Sequence, residues 1–156
     1  DGALGITVHA GEMAGPDSIA SALEAAVPTR IGHGLHLIDD CVTRDGRIIE
    51  LGQVAREVAQ REILLEVCVT SNSCLGTPVA AHPVRLFHDA GIAVSVNADD
   101  RAITTTTVAR EYDLWRNVHG FTDTDFRDIN VRAADAAFCE DEVRARLRRL
   151  VISGWA

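Results

Sequence analysis

The stretch ITVHAGE (residues 6–12) runs from apolar residues directly into a histidine, a glycine and a glutamate. A short continuous apolar run, here LGITV (4–8), is typical of a strand buried on both faces of a sheet. Such a strand would end at His9, after which the chain would turn at Gly11 and present the carboxylate of Glu12. The stretch therefore predicts a buried strand with two ionisable side chains at its carboxyl end.

The same kind of apolar run recurs three more times, and helical patterns separate the runs. We predict buried strands at 4–8, 29–33, 63–69 and 92–96. Spacing at i, i+3, i+4 and i+7 predicts the intervening helices, because it places apolar residues on one helical face. The first such face comprises Ile19, Ala22, Leu23 and Ala26, and the second comprises Ile48, Leu51, Ala55 and Val58. Later helices are predicted from Pro83 to Phe87 and near 104–118, 123–138 and 141–152, the second of these three opening with a Thr122–Asp125 capping box.

This alternation of strands and helices predicts an α/β fold with a parallel sheet and right-handed crossovers. Two architectures satisfy it: a doubly wound open sheet, or part of a (β/α)₈ barrel. A whole barrel needs about 250 residues. The chain has 156 residues and therefore room for half a barrel.

Composition narrows the class of protein. Hydrophobic residues make up 47% of the chain, which suits one globular domain, and the net charge is −8. An acidic chain is unfavourable for binding nucleic acid or anionic membranes, and no apolar stretch is long enough to span a bilayer. The four cysteines form no CxxC pair, which favours a reducing compartment. We expect a cytoplasmic protein with neither nucleic-acid nor membrane partners.

Polar side chains gather where the predicted strands end, the edge at which parallel α/β folds build active sites. They are His9, Glu12, His33, Ser71, Asn72, Asp99 and Asp100. Imidazole and carboxylate are normal zinc ligands, so His9 and Asp99 form a candidate pair. Taken alone, a histidine that ends a strand is more often a structural residue than a ligand, and the same holds for a turn aspartate. No third or fourth ligand is evident.

Three further charged residues have two interpretations each. Glu12 could carry protons beside a polarised water, or cap the following helix. His33 could act as a base or electrostatic partner, or be a hydrogen-bonded core histidine. Glu66 lies inside an apolar strand and needs a partner there. It could orient His33, or be exposed at a strand edge.

The remaining histidines and aromatic residues are assigned to structure. His36, His82, His88 and His119 are predicted in loops or on helix surfaces, with His82 capping a helix start. Tyr112 and Trp115 fall on helical positions and are predicted to pack in the core.

Taken in order, the motifs HAGE, RIGHG, E-x-C-x-T-S-N, HP followed by AGI, and N-x-DD resemble the adenosine deaminase family of metal-dependent hydrolases. The later segments REY and NVRAADAAF resemble the closing helices of that family. The resemblance covers nearly the whole chain but only the carboxyl-terminal half of a family member. It implies that residues 1–156 supply the last four strand–helix units of a TIM-type (β/α)₈ barrel plus extra C-terminal helices.

The resemblance also implies a reaction. It would be zinc-dependent hydrolytic deamination of a 6-aminopurine nucleoside, converting adenosine or deoxyadenosine to the inosine product and ammonia. The alternatives are another aminopurine, such as adenine or a modified or phosphorylated nucleoside, or an inactive homologue that only binds. Activity would require the amino-terminal half of the barrel as partner, since the H-x-H pair that completes the Zn²⁺ site belongs to that half.

The residue roles carry over by motif. His9 and Asp99 would bind Zn²⁺, and Glu12 would pass a proton to purine N1. His33 would orient or deprotonate the attacking hydroxide, and Asp100 would hydrogen-bond purine N7. Glu66 and Ser71 would contact these residues and orient them, without binding metal or substrate themselves.

The chain departs from the family pattern at two positions. Val69 and Arg101 each stand where the family usually has proline. Arg101 adds a cation beside the acidic pair, where it could pair with Asp100 or reach an anionic substrate group. The departure at Arg101 affects substrate identity more than reaction type.

Overall fold

A four-stranded parallel sheet forms the centre of the molecule in the computed structural model, which describes residues 4–155. In chain order the strands are β1 (Thr7–Ala10), β2 (Arg30–His33), β3 (Cys41–Arg44), β4 (Arg47–Leu51), β5 (Leu64–Val67) and β6 (Val94–Val96). The parallel sheet has the order β1-β2-β5-β6, and β3 and β4 form a separate antiparallel pair. The four predicted strands are therefore confirmed, and β2, β5 and β6 are largely buried as predicted. The predicted burial of β1 is wrong, because this strand lies at an edge of the sheet and is buried only at Ala10.

Helices connect and cover the strands. They are α1 (Pro16–Ala26), α2 (Gln53–Gln60), α3 (Val69–Cys74), α4 (Val84–Asp89), α5 (Arg101–Thr104), α6 (Val108–His119), α7 (Asp123–Asp135) and α8 (Asp141–Gly154), with 3₁₀ turns at Leu35–Asp40 and Val79–Ala81. Within residues 4–155, each helix is too short or too polar to cross a membrane.

The core lies between the sheet and the amphipathic helices. Ile19 and Leu23 bury the predicted face of α1. Trp115 of α6 is fully buried and packs against Phe121, with ring centroids 5.0 Å apart. The structural assignment of Trp115 is thus confirmed, and helix burial covers the sheet as the continuous apolar strands require.

The second predicted helix is wrong in its first half. Ile48 and Leu51 lie in β4, and α2 begins only at Gln53. Asp45 and Gly46 both have positive φ, 49° and 70°, which is the backbone of a two-residue hairpin turn. The Asp-Gly pair turns the chain back on itself, so β3 and β4 pair before the helix starts.

Other boundaries shift for local reasons. β5 ends at Val67, because Val69 already begins the short helix α3 that the apolar run concealed. Thr107 caps α6 by accepting a hydrogen bond from the Arg110 N–H, so that helix starts later than its apolar pattern. The capping box predicted at Thr122 and Asp125 is confirmed.

Replacing Gly46 by valine should weaken the hairpin. A β-branched residue in the left-handed region costs roughly 1–2 kcal/mol, whereas asparagine tolerates it better. We expect Gly46→Val to lower the denaturant midpoint of the full-length protein more than Gly46→Asn does. Equal midpoints for the two variants would contradict the turn assignment.

Candidate active site at the carboxyl ends of the strands

A cleft of about 360 Å³ opens at the carboxyl edge of the parallel sheet. Residues on or directly after each of the four parallel strands contribute to its wall. The lining residues are His9, Gly32, His33, Glu66, Cys68, Asn97, Ala98, Asp99, Arg101 and Val108. The structure therefore brings His9, His33 and Asp99 together, as the strand-end pattern predicted.

Two histidines of the cleft wall, His9 and His33, cluster with the carboxylate of Glu12. The rings of His9 and His33 meet edge to face with centroids 4.8 Å apart, and His33 Nε2 lies 3.4 Å from Glu12 Oε1. One ligand-capable atom from each of His9, Glu12 and His33 lies within 4.8 Å of the others. Two imidazoles and a carboxylate, with Asp99 on the same cleft wall, are a donor set that fits a divalent metal such as zinc.

Gly32 makes room for His9. Parallel pairing sets His9 directly opposite Gly32 on β2. A Cβ at position 32 would lie only 2.5 Å from His9 Cδ2, closer than real contacts allow. The imidazole of His9 therefore rests over the bare backbone of β2, which fixes its position beside His33.

His33 ends β2 in a strained and buried position. Its φ is 68°, in the left-handed region that side-chain-bearing residues rarely adopt, and the residue is 2% exposed. Burial lowers the pKa of His33, an effect that the carboxylate of Glu12 partly opposes. Asp99 also has a positive φ, 53°. Such strain persists only where the surrounding structure enforces it, and it clusters at functional sites.

Ser71 holds Asp99. Its hydroxyl donates a hydrogen bond of 2.6 Å to Asp99 Oδ2. This bond is the main reason that the pKa of Asp99 falls below its usual value, and the adjacent backbone N–H of Asp100 adds to it. Asp99 is therefore kept ionised. The contact agrees with the supporting position predicted for Ser71.

Asp100 and Arg101 begin the short helix α5. Asp100 Oδ1 accepts hydrogen bonds from the N–H groups of Ala102 at 2.8 Å and Ile103 at 3.3 Å. The carboxylate thus caps a helix while remaining exposed. Arg101 lines the cleft, which places its guanidinium group within reach of a bound molecule.

Glu66 has partners other than the one predicted. Thr7 Oγ1 donates to Glu66 Oε2 at 2.6 Å, and Arg30 Nε lies 3.3 Å from Glu66 Oε1. These two neighbours satisfy the charge inside the strand. Glu66 lines the cleft beside His33, but the hydrogen bond to His33 Nδ1 comes from Asn72 instead, at 3.3 Å.

His82 lies in the loop before α4, one of the two placements predicted for it, but it is buried there. It is 4% exposed, and its Nε2 lies 3.2 Å from Asn72 Oδ1. Its expected capping role is confirmed, since Nδ1 accepts a hydrogen bond from the Val84 N–H at 3.2 Å. The position of His82 before a proline predicted the capping role. The contact with Asn72 of α3 could not be predicted from neighbouring residues in the sequence.

Glu111 was not selected from the sequence at all. It is fully buried, accepts a hydrogen bond from Thr106 Oγ1 at 3.0 Å and receives the Thr70 N–H at 3.4 Å. A buried carboxyl at the first turn of α3 anchors the helix that carries Ser71 and Asn72. In the sequence, Glu111 was noted only as part of the segment REY, which resembles a closing helix of the family.

Comparison with known proteins identifies the family. Residues 1–154 match the family described as adenosine deaminase. The chain belongs to the adenosine deaminase family. Adenine deaminase of Rhizobium leguminosarum bv. trifolii is 40% identical over 149 residues, covering 94% of this chain and 43% of that protein. Adenine deaminase of Agrobacterium fabrum is 38% identical, with 94% and 42% coverage.

Solved structures share the fold of this chain. An adenine deaminase from Arthrobacter aurescens superposes with a TM-score of 0.83 at 24% identity, covering 97% of this chain and 43% of that one. The N6-methyl-AMP deaminase of Arabidopsis thaliana gives 0.74 at 27%, with 96% and 41% coverage. An amidohydrolase of Burkholderia ambifaria with bound Zn gives 0.81 at 22%, with 97% and 40% coverage.

This adenosine deaminase family chain therefore has the fold that its motifs implied. Its neighbours are TIM-barrel amidohydrolases, and its four parallel strands form part of such a barrel. The chain spans about two fifths of the length of the relatives it matches, 43% for the first of them.

Filling the space at Gly32 should displace His9. We expect Gly32→Ala in the full-length protein to weaken divalent metal binding by about 10- to 100-fold, the range for losing support of a ligand. Competition with a chromogenic chelator measures this affinity. Gly154→Ala, where a Cβ meets open space, is the matched control. Unchanged affinity in Gly32→Ala would contradict the prediction that His9 is a metal ligand.

Proposed function

We propose that this chain forms the carboxyl-terminal part of a hydrolase that deaminates a 6-aminopurine. The observation that carries the proposal is the convergence of His9, His33 and Asp99 on one cleft, with Glu12 beside His33. Water adds to the carbon that bears the exocyclic amine, the ring nitrogen beside it takes a proton, and ammonia leaves.

His9 and Asp99 are the proposed metal ligands of this chain, with zinc as the metal. The donor chemistry supports this assignment, and so does the hydrogen bond from Ser71 that keeps Asp99 ionised. When bound, a divalent metal acts as a Lewis acid that makes water nucleophilic near neutral pH. The remaining ligands would come from the rest of the barrel.

Glu12 is the proposed proton carrier, and His33 beside it is proposed to act on the attacking nucleophile. Glu12 is half-buried at the turn after β1, and its Oε1 faces His33 Nε2 at 3.4 Å. A carboxyl in that position can deliver a proton to a ring nitrogen of a purine bound beside His33. Asp100, next to Asp99, is proposed to contact the purine through the oxygen that does not cap α5.

Adenine is the substrate that we propose first. The relatives named adenine deaminase share 34–40% identity with nearly the whole chain. They favour the free base over the adenosine that the family motifs implied. A phosphorylated nucleoside is the second candidate, because Arg101 places a cation in the cleft.

The rest of the barrel is the proposed partner. Within residues 4–155, β1 and β6 are the two edges of the parallel sheet, and neither pairs with a further strand on its outer side. Strands from an amino-terminal half would pair with both edges, close the barrel and complete the metal site. The share of the relatives' length that this chain covers supports this proposal.

Removing the acidity of Glu12 should stop proton transfer. We expect Glu12→Gln in the full-length protein to lower kcat by about 10²–10⁴-fold while leaving metal content unchanged. Steady-state deamination and metal analysis measure the two effects. Glu24→Gln, on the exposed face of α1, is the control. A near-normal rate in Glu12→Gln would remove Glu12 from the mechanism.

A substrate panel should separate the free base from its nucleoside and nucleotide. We expect the highest kcat/KM with adenine among adenine, adenosine and AMP, followed by ultraviolet absorbance. If AMP is preferred and Arg101→Pro abolishes that preference, the second candidate replaces the first.

A further inference from the structure

A series of buried hydrogen bonds connects His33 at the cleft to residues farther from it. Asn72 Nδ2 lies 3.3 Å from His33 Nδ1, and Asn72 Oδ1 lies 3.2 Å from His82 Nε2. His82 Nδ1 then meets the backbone N–H of Val84 at 3.2 Å. The three side chains are at most 4% exposed, so water does not replace these contacts.

The hydrogen bond between Val84 and His82 determines the donor and the acceptor in each of the other hydrogen bonds of this series. A backbone N–H can only donate, so His82 Nδ1 must accept the hydrogen bond from Val84. Burial lowers the pKa of His82 to about 3, which keeps its ring neutral. A neutral imidazole carries one proton, and in His82 that proton must therefore be on Nε2.

The amide of Asn72 transmits this constraint. Its atom facing the His82 Nε2–H must be the carbonyl oxygen, since only that atom accepts. The amide nitrogen consequently faces His33 and donates to Nδ1. His33 Nδ1 is thus an acceptor and carries no proton in the neutral ring.

We propose that Asn72 and His82 are positioning residues that hold neutral His33 with its proton on Nε2. That nitrogen points to the cleft, 3.4 Å from Glu12 Oε1. His33 therefore enters the reaction as a hydrogen-bond donor to the cleft. It does not take a proton from the attacking water on Nε2, because that nitrogen is already protonated.

This inference deepens the proposed function, on which its catalytic consequence rests. Of the two roles that the family motifs allow His33, orienting the nucleophile or deprotonating it, the tautomer selects the first. Proton transfer then falls to Glu12, the other ionisable group beside His33 Nε2.

The tautomer can be measured without any substrate. The full-length protein, labelled with ¹⁵N-histidine and prepared metal-free and with zinc, would be studied by long-range ¹H–¹⁵N correlation, with signals assigned by single histidine substitutions. We expect His33 to show a protonated, pyrrole-type Nε2 and an unprotonated, pyridine-type Nδ1 in both preparations. A protonated Nδ1 in His33 would overturn the proposal.

Asn72→Asp tests the same point by reversing the donor. A carboxylate only accepts, so we expect the proton of His33 to move to Nδ1 and kcat to fall by about 10- to 100-fold with little change in KM. Ser73→Ala, on the same helix, should keep both the nitrogen pattern and the rate. A reversed pattern with full activity would overturn the donor role.

Two further results keep the outcomes separable. His82→Gln retains a donor toward Asn72 and should preserve the nitrogen pattern of His33. Loss of that pattern in His82→Gln would contradict the positioning of His33 by His82 through Asn72. If no purine is deaminated, the proposed function fails, whereas the nitrogen shifts of the unsubstituted protein still decide the tautomer.

Discussion

The parallel register between β1 and β2 is the constraint on which the site depends. It sets His9 opposite Gly32 and Ala10 opposite His33, so both histidines leave the sheet at the same edge. Parallel strands joined by crossover helices all point the same way, which brings their carboxyl ends together. The absence of a side chain at Gly32 then decides how closely the two imidazoles approach. A slip of one residue would send His9 to the opposite face of the sheet.

Next to this edge lies a second layer of polar groups, all of which are buried. Glu111 anchors the start of α3, and α3 in turn presents Ser71 to Asp99 and Asn72 to His33. Leaving a buried polar group unpaired costs about 1–3 kcal/mol. The polar groups of this layer therefore hydrogen-bond to one another and to the cleft residues. These bonds stabilise backbone conformations of the cleft residues that are unfavourable on their own. The left-handed conformations of His33 and Asp99 show how firmly they are held.

Much of the architecture could be predicted from periodicity. Four apolar runs became the four parallel strands, and the face of α1 was correct because its apolar spacing matches the helical repeat. The β3–β4 hairpin could not be found that way, since Ile48 and Leu51 fit a helical face as well as a strand. Its evidence was the Asp-Gly turn, where backbone conformation outweighed side-chain spacing.

The sequence by itself determined the family, the parallel sheet and the set of polar residues that converge at its edge, because motif order and hydrophobic spacing are local properties. Tertiary structure decided the pairings among those residues. Glu66 contacts Thr7 and Arg30. The contact with His33 that was expected of Glu66 is made by Asn72 instead. These contacts join residues far apart in the chain, and burial selects them by requiring each desolvated polar group to find a partner within reach.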